Sequence, residues 1–93
     1  DLILERTSEI YGFSREDLVG ASRRRPLVTA RQVSMYVFRE LTDLSYPAIG
    51  REFGDRDHTT VIHAVDKITK LMAERREIYD QVSALTSNIR SSN

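Results

Sequence analysis

The sequence predicts an all-α fold, a helical domain built around one core. The chain has 93 residues, too few for two independent cores. No stretch alternates with period two for long enough to form a strand, whereas apolar residues recur at spacings of three and four. Hydrophobic residues make up 40% of the chain and charged residues 30%, which is typical of a folded domain and not of a disordered tail.

The composition excludes several classes of protein. The chain has no cysteine, which excludes disulfide scaffolds and thiolate chemistry, and a metal site would have only two histidines and carboxylates as ligands. No apolar run approaches the roughly 20 residues that span a bilayer. The first ten residues carry Asp1, Glu5 and Glu9 where a signal peptide would be basic. We therefore predict no metal site, no membrane segment and no export.

The first predicted helix carries its apolar residues on one side and ends at Gly12, whose missing Cβ suits a left-handed cap. These apolar residues are Leu2, Ile3, Ile10 and Tyr11. Asp1 stands where an initiator methionine would, which suggests a piece cut from a longer protein. We therefore expect residues 1–12 to be a linker helix from a missing upstream domain, and residues 13–93 to form the domain itself.

A short helix, a basic loop and a long central helix are predicted next. Ser14 caps a short helix over residues 15–19 that closes at Gly20, and residues 21–26 form a loop because Pro26 prevents helix continuation. The long helix starts at Leu27, with Arg31 and Arg39 facing outward. Its expected core residues are Val28, Val33, Tyr36, Val37, Leu41 and Leu44.

Three further helices complete the predicted fold. Ser45 caps a helix from Pro47 to Phe53, Gly54 turns the chain, and Asp57 caps a longer helix through residue 71. A final helix covers residues 74–90. The expected core residues of the last two helices are Val61, Ala64, Val65, Ile68 and Met72, and then Ile78, Val82, Leu85 and Ile89.

The short helix, the glycine turn and the longer helix have the lengths of a helix-turn-helix. The predicted fold class is therefore all-α, a compact helical domain with a helix-turn-helix and a preceding basic loop. The spacing alone is weakly specific, because many helical proteins without a DNA role contain two helices joined by a glycine turn.

The outer face of the longer helix suits base recognition. At about 100° per residue, this face carries Thr59, Ile62, His63, Asp66, Lys67 and Lys70. Thr59 and Ile62 offer methyl groups to thymine, and histidine donates to purine nitrogen. The alternatives are that His58 and His63 are solvated surface residues, and that Thr59 and Thr60 compete with Asp57 for helix capping.

The charge is unevenly distributed although 14 basic residues balance 14 acidic ones. Residues 20–40 hold five arginines against one acid. The planar fork of arginine suits phosphate and guanine edges. The alternatives are a solvated loop for Arg23, Arg24 and Arg25, and an exposed helix face for Arg31 and Arg39, paired with Glu40 or Asp43.

Two other classes of protein fit the pattern less well. A helical protein-interaction module would need a broad exposed apolar patch, which the pattern lacks. An enzyme would need convergent acid-base or metal groups, for which His58, His63 and Asp66 are the only plausible cluster. The two histidines are five residues apart and do not share a helix face as an i, i+4 metal pair would. A transcription factor remains an alternative within the DNA-binding class.

The run from Gly54 to Ala64, with Lys67 and Ile68 beyond it, resembles the signature of the bacterial replication-initiator family DnaA. The string RDHTTV is highly specific, and the segments at residues 31–32, 40–42 and 45–50 resemble the family in the same order and spacing. The resemblance implies the C-terminal DNA-binding domain, domain IV, which binds double-stranded DNA at DnaA boxes of the replication origin, without catalysis. It also implies a role in gene regulation, a cytoplasmic location at the nucleoid, and one monomer per site.

The resemblance also implies residue roles. Asp57, His58 and Thr59 match the family's major-groove base readers, and Arg23 best matches the minor-groove arginine, although Arg24 or Arg25 are alternatives for it. Ile62 is a further candidate at the bases or backbone. No cofactor is implied in this fragment, because ATP would bind the missing upstream ATPase domain. The implied phosphate contacts are Arg31, Gln32, Arg39, Tyr46, Pro47, Thr60, His63 and Lys67.

Overall fold

Six α-helices form the fold in a computed structural model that describes residues 2–92. Within that range the chain has no strand, which confirms the predicted fold class. Asp1 and Asn93, the ends of the two predicted segments, lie outside the described residues. The helices are α1 (Leu2–Tyr11), α2 (Arg15–Val19), α3 (Arg25–Leu41), α4 (Tyr46–Glu52), α5 (His58–Glu74) and α6 (Arg76–Ser91).

Helix α3 is the centre of the domain and packs against each of the other five helices. Because it is surrounded, its buried residues occupy most of its circumference. Val33 and Val37 are fully buried as predicted, whereas Val28, Tyr36, Leu41 and Leu44 are only half-buried, and Leu44 lies beyond the end of the helix. The sequence did not predict the burial of Leu27, Ala30, Met35 and Phe38.

The start of α3 differs from the prediction. The loop was expected to run through Pro26, but Arg25 is already helical and Pro26 lies in the first turn. Proline is tolerated there, since the first N–H groups of a helix have no intrahelical acceptor. The basic loop therefore ends at Arg24, the residue that precedes the helix.

Helix α1 packs against α2, α3 and α6 and contributes Ile3, Leu4 and Thr7 to the buried interior. Gly12 ends it with a φ of 75°, as its missing Cβ predicted. Ile10 was expected on the apolar side but is 41% exposed. The assignment of residues 1–12 as a linker helix stays a prediction.

The helix-turn-helix is anchored to α3 through two aromatic rings. Phe38 of α3 and Phe53 after α4 are fully buried, and their rings meet edge to face with centroids 5.6 Å apart. Burying each ring contributes about 2 to 3 kcal/mol, and the pair adds about 1 kcal/mol. Helix α5 buries Val61, Ala64 and Ile68 in the same core cluster and packs against both α3 and α4, so α4 and α5 have a fixed position on the core.

Helix α6 closes the fold against α1, α3 and α5. It begins two residues later than predicted, and all four of its expected core residues are buried: Ile78, Val82, Leu85 and Ile89. No helix within residues 2–92 has both the length and the apolar character to cross a membrane.

Candidate nucleic-acid interface

A tight turn sets the angle between α4 and α5. The N–H of Arg56 donates to the carbonyl of Gly50 over 2.9 Å, and a Cβ on Gly50 would collide with the Arg56 carbonyl oxygen. Gly54 and Asp55 follow each other with φ values of 73° and 59°, in the left-handed region that glycine adopts at no cost. Because Gly50 has no side chain, the turn can fold back onto α4.

The start of α5 presents four exposed polar residues, Asp57, His58, Thr59 and Thr60. Asp57 holds the N-cap position as predicted, but its carboxylate does not cap a backbone N–H. It accepts instead from the Thr59 hydroxyl over 2.5 Å and lies 3.0 Å from Nδ1 of His58. The Thr59 hydrogen bond, helped by the charge of His58, holds the pKa of the Asp57 carboxyl below its usual range.

The outward face of α5 has the composition that its periodicity predicted. Ile62 is 37% exposed, and His63 and Lys67 are exposed beside it. Asp66 pairs with Lys70 one turn further on over 3.0 Å. Asp66 is therefore paired with a lysine on its own helix.

The basic loop lies beside this face. Arg23, Arg24 and Arg25 are all exposed. Arg23 and Arg25 line a shallow depression together with Lys67 of α5, and Val28 and Thr29 of α3 complete its wall. The fold thus brings Arg23 and Arg25, more than 40 residues away from Lys67 along the chain, to the outer face of α5.

A groove between α3 and α5 continues the polar surface. It brings together Gln32, Thr60 and His63, three residues that the sequence resemblance placed at the DNA backbone. The Oε1 atom of Gln32 is buried without a hydrogen-bond partner among the described residues. The amide nitrogen of Gln32 is the group that could donate to a phosphate oxygen here.

At the other end of the helix-turn-helix, Arg39 stacks on an aromatic ring. Its guanidinium carbon lies 4.3 Å from the centroid of Tyr46, and its Nη1 donates to the Leu44 carbonyl over 3.3 Å. Tyr46 and Pro47 form the first turn of α4, which Ser45 caps by accepting from the Ala48 N–H. The stack holds an exposed cation beside the start of α4.

Arg31 is the one predicted contact residue that the structure turns inward. It was expected on the outer face of α3, but it is only 5% exposed. Its guanidinium donates to the carbonyls of Leu18, Ser22 and Asp17 over 2.6, 2.9 and 2.9 Å. The expected outward orientation of Arg31 on α3 is therefore wrong, because its guanidinium binds the end of α2.

Arg56 makes a similar set of contacts, and the sequence reasoning did not single it out. It donates to the carbonyls of Val19, Gly20 and Phe53. Burial lowers the pKa of both Arg56 and Arg31, and the Arg56 charge lowers that of Arg31 further. The sequence contains one signal for these contacts. A five-residue helix such as α2 leaves main-chain carbonyls without an intrahelical donor, so other residues must donate to them.

Two features of the described surface bear on metal binding and on apolar docking. Within residues 2–92, no three histidine, cysteine or acidic residues gather into a potential metal site. The large exposed hydrophobic residues of the same range are Ile10, Ile62 and Tyr79, and each lies on a different helix.

A helix-turn-helix on a fixed core, with exposed polar residues opening its second helix and a basic loop alongside, defines a DNA-binding domain of the helix-turn-helix class. The family described as the bacterial DnaA protein helix-turn-helix matches residues 1–68. This chain belongs to that family.

Full-length relatives agree with this assignment. The chain is 54% identical over 88 residues to the chromosomal replication initiator protein DnaA of Cutibacterium acnes, and 53% identical to that of Clavibacter sepedonicus. Each alignment covers 95% of this chain and 18% of the relative. The chain therefore spans about a fifth of the length of these relatives.

Proposed function

We propose that this domain binds double-stranded DNA at DnaA boxes of the replication origin and so takes part in initiating chromosomal replication. The observation that carries the proposal is the position of Arg23 and Arg25 beside Lys67, at the outer face of α5. The basic loop and helix α5, which are distant in sequence, can therefore contact one duplex.

The major groove is assigned to the start of α5. Asp57, His58 and Thr59 are exposed there and offer a carboxylate, an imidazole and a hydroxyl with its methyl group to base edges. Ile62 lies one turn further on and can pack on a thymine methyl. A recognition helix enters the groove with its N-terminal residues, which is where this set lies.

The minor groove is assigned to the basic loop. A narrow A·T minor groove attracts a guanidinium group. Arg23 is the first candidate because it lies in the loop proper, and Arg24 is the second. Arg25 is the first residue of α3, so its backbone is fixed by the helix and its reach is shorter.

Phosphate contacts are assigned to residues around these two elements. Such contacts orient the protein without reading sequence. The set comprises Gln32, Arg39, Tyr46, Pro47, Thr60, His63 and Lys67. Arg31 is not part of it, because its guanidinium is bound to α2.

The remaining assignments follow from the family. The domain has no catalytic step of its own, and ATP would bind an upstream ATPase domain in the intact protein. Residues 1–12 would link the two. The place of action would be the nucleoid in the cytoplasm, and gene regulation at boxes outside the origin would use the same surface.

Binding to labelled duplexes tests the proposal. The isolated domain is titrated onto a duplex that carries one DnaA box and onto a scrambled duplex of the same length at the same salt. We expect the box to bind at least about a thousandfold more tightly, as specific sites do. Sedimentation should show one protein per box. Equal affinity for both duplexes would contradict sequence-specific binding, and a stable protein dimer without DNA would contradict the monomer.

A further inference from the structure

The buried Arg31 and the half-buried Arg56 bind nearly every main-chain carbonyl from Asp17 to Ser22. Arg31 takes those of Asp17, Leu18 and Ser22, and Arg56 takes those of Val19 and Gly20. Arg31 belongs to the central helix α3, whereas Arg56 belongs to the turn directly before α5. The contacts extend from the last turn of α2 into the basic loop, as far as Ser22.

The turn of the helix-turn-helix also touches α2 directly. A Cβ on Gly54 would lie 2.9 Å from the Val19 carbonyl oxygen, which is closer than a real Cβ comes to an oxygen atom. Gly54 therefore lets the turn approach α2 until Arg56 reaches two of its carbonyls. Arg56 also donates to Phe53 over 2.7 Å, so its guanidinium bridges the turn and the start of the loop.

We propose that Arg56, supported by Arg31, is a positioning residue that sets the start of the basic loop relative to the N-terminus of α5. The inference rests on the proposed function, in which the loop and α5 enter adjacent grooves of one duplex. Arg56 stands one residue before Asp57 and holds Gly20, three residues before Arg23. A shift of Gly20 or of Asp57 would move the basic loop relative to the start of α5.

The chemistry of the contact requires arginine. The planar guanidinium donates from several N–H groups in fixed directions, whereas the lysine ammonium is a compact point charge without that fork. Lysine at position 56 keeps the charge but cannot hold Val19, Gly20 and Phe53 together. The loop would then be ordered only on binding, and the entropy of ordering would be subtracted from its contribution to affinity.

Arg56→Lys tests the inference, with Arg76→Lys as the matched control. Arg76 lies on α6 and contacts Asp80 and Tyr79, away from the proposed interface. Affinity is measured for four duplexes at one salt concentration: the box, the box with its A·T-rich end replaced by G·C pairs, the box with its other end replaced, and a scrambled duplex.

We expect Arg56→Lys to reduce the preference for the A·T-rich end by about fivefold or more, the size of one lost base contact. Preference at the other end and affinity for the scrambled duplex should stay within about twofold. In a domain whose Arg23, Arg24 and Arg25 are all alanine, Arg56→Lys should have no further effect on that preference. Such non-additivity is the sign of coupled residues.

Other outcomes overturn the inference. Equal weakening on all four duplexes, or full additivity with the alanine variant, would mean that Arg56 only stabilises the fold. Equal affinity of the unaltered domain for all four duplexes would overturn the proposed function as well. The failure of the Arg56 inference alone is therefore distinguishable from the failure of the proposed function.

A second measurement needs no variant and covers the case in which Arg56→Lys does not fold. The guanidinium protons of Arg56 are followed by NMR in the free domain and in the box complex. They should stay protected from exchange with water in both states. Protection that is lost on binding would show that the contact does not hold the loop in the complex.

Discussion

The hydroxyl of Thr59 donates a 2.5 Å hydrogen bond to Oδ2 of Asp57, so two of the proposed base readers are paired with each other in the free domain. His58 lies 3.0 Å from the other carboxylate oxygen of the same aspartate. The three side chains thus form one exposed cluster at the start of α5. The cluster holds one arrangement of donors and acceptors instead of three independently rotating groups.

The first prediction concerns the pKa of Asp57. Thr59→Val removes the hydroxyl that most lowers this pKa, so the pKa should rise towards the ordinary aspartate value. The measurement is an NMR titration of the Asp57 carboxyl carbon in both proteins. A pKa that does not change would mean that the hydrogen bond is absent in solution.

The same hydrogen bond makes a pH-dependent contribution to stability. A folded-state pKa below the unfolded value stabilises the fold above the unfolded pKa, and this contribution is lost as pH falls through the folded pKa. The relevant window lies below about pH 4, near the unfolded aspartate pKa. Melting temperatures of Thr59→Val and the unaltered domain should therefore converge as pH falls through it.

Alanine at the start of α5 should affect specific binding alone. Each good base contact contributes about 1 to 3 kcal/mol of discrimination, so His58→Ala or Thr59→Ala should weaken box binding by roughly ten- to a hundredfold. Binding to the scrambled duplex depends on phosphates and should hardly change. Lys67→Ala is the control, and it should weaken both duplexes alike.

Thermal melting distinguishes lost contacts from lost structure in these variants. His58 and Thr59 are exposed and lie off the Val61, Ala64 and Ile68 core, so the free energy of unfolding should fall by no more than about 1 kcal/mol. Equal losses of affinity on both duplexes would show that these residues do not read bases.

Removing the loop arginines should affect one end of the box. With Arg23, Arg24 and Arg25 all replaced by alanine, the preference at the A·T-rich end should weaken, since a narrow A·T groove attracts guanidinium. Preference at the other end should persist, because α5 is untouched. Titration of duplexes with either end substituted measures both preferences. Loss of discrimination at both ends would mean that the loop only attracts DNA by its charge.

Binding should depend on salt although the net charge is zero. The cations Arg23, Arg24, Arg25, Arg39 and Lys67 would displace about five counterions from the duplex, so log K should fall against log salt with a slope of about −4 to −5. The measurement is a box titration at five salt concentrations between 50 and 300 mM, on the order of the range in which counterion release is seen. A slope near zero would contradict the proposed surface.

Gly50→Ala should destabilise the domain, although replacing glycine by alanine in a helix normally stabilises it by about 1 kcal/mol. The reason is that the new methyl group would collide with the Arg56 carbonyl oxygen. Overpacking of this kind costs about 1 to 3 kcal/mol, which chemical denaturation can measure. As a control, Ala84→Gly at an exposed position of α6 measures the ordinary difference in helix propensity between alanine and glycine. If Gly50→Ala stabilised the domain, the Arg56 carbonyl would lie farther from Gly50 than in this structure.

Local sequence signals predicted the elements of the fold well. Ser14 and Ser45 cap the helices they were expected to cap, and Gly12 takes the left-handed conformation that its position predicted. Helix α6 packs on one side only, and its apolar spacing predicted every buried position. The exposed face of α5 was predicted for the same reason, because its outer side meets no other helix.

The same signals failed where several helices meet. Helix α3 touches all five others, so an arginine between its apolar residues was read as outward when it faces α2. Ile10 was read as inward because its spacing fits the apolar side of α1, yet no partner covers it there.

The helices, the turn, the exposed face of α5 and the family could be predicted from the sequence, because they depend on spacing and on residues that are neighbours along the chain. The contacts of Arg31 and Arg56 and the position of Arg23 and Arg25 beside Lys67 depend on how the helices pack and could not be predicted from the sequence. A buried arginine has to find main-chain acceptors to offset its desolvation. The choice of acceptor carbonyls depends on how α2, α3 and the turn pack together. The periodicity of a single helix cannot predict it.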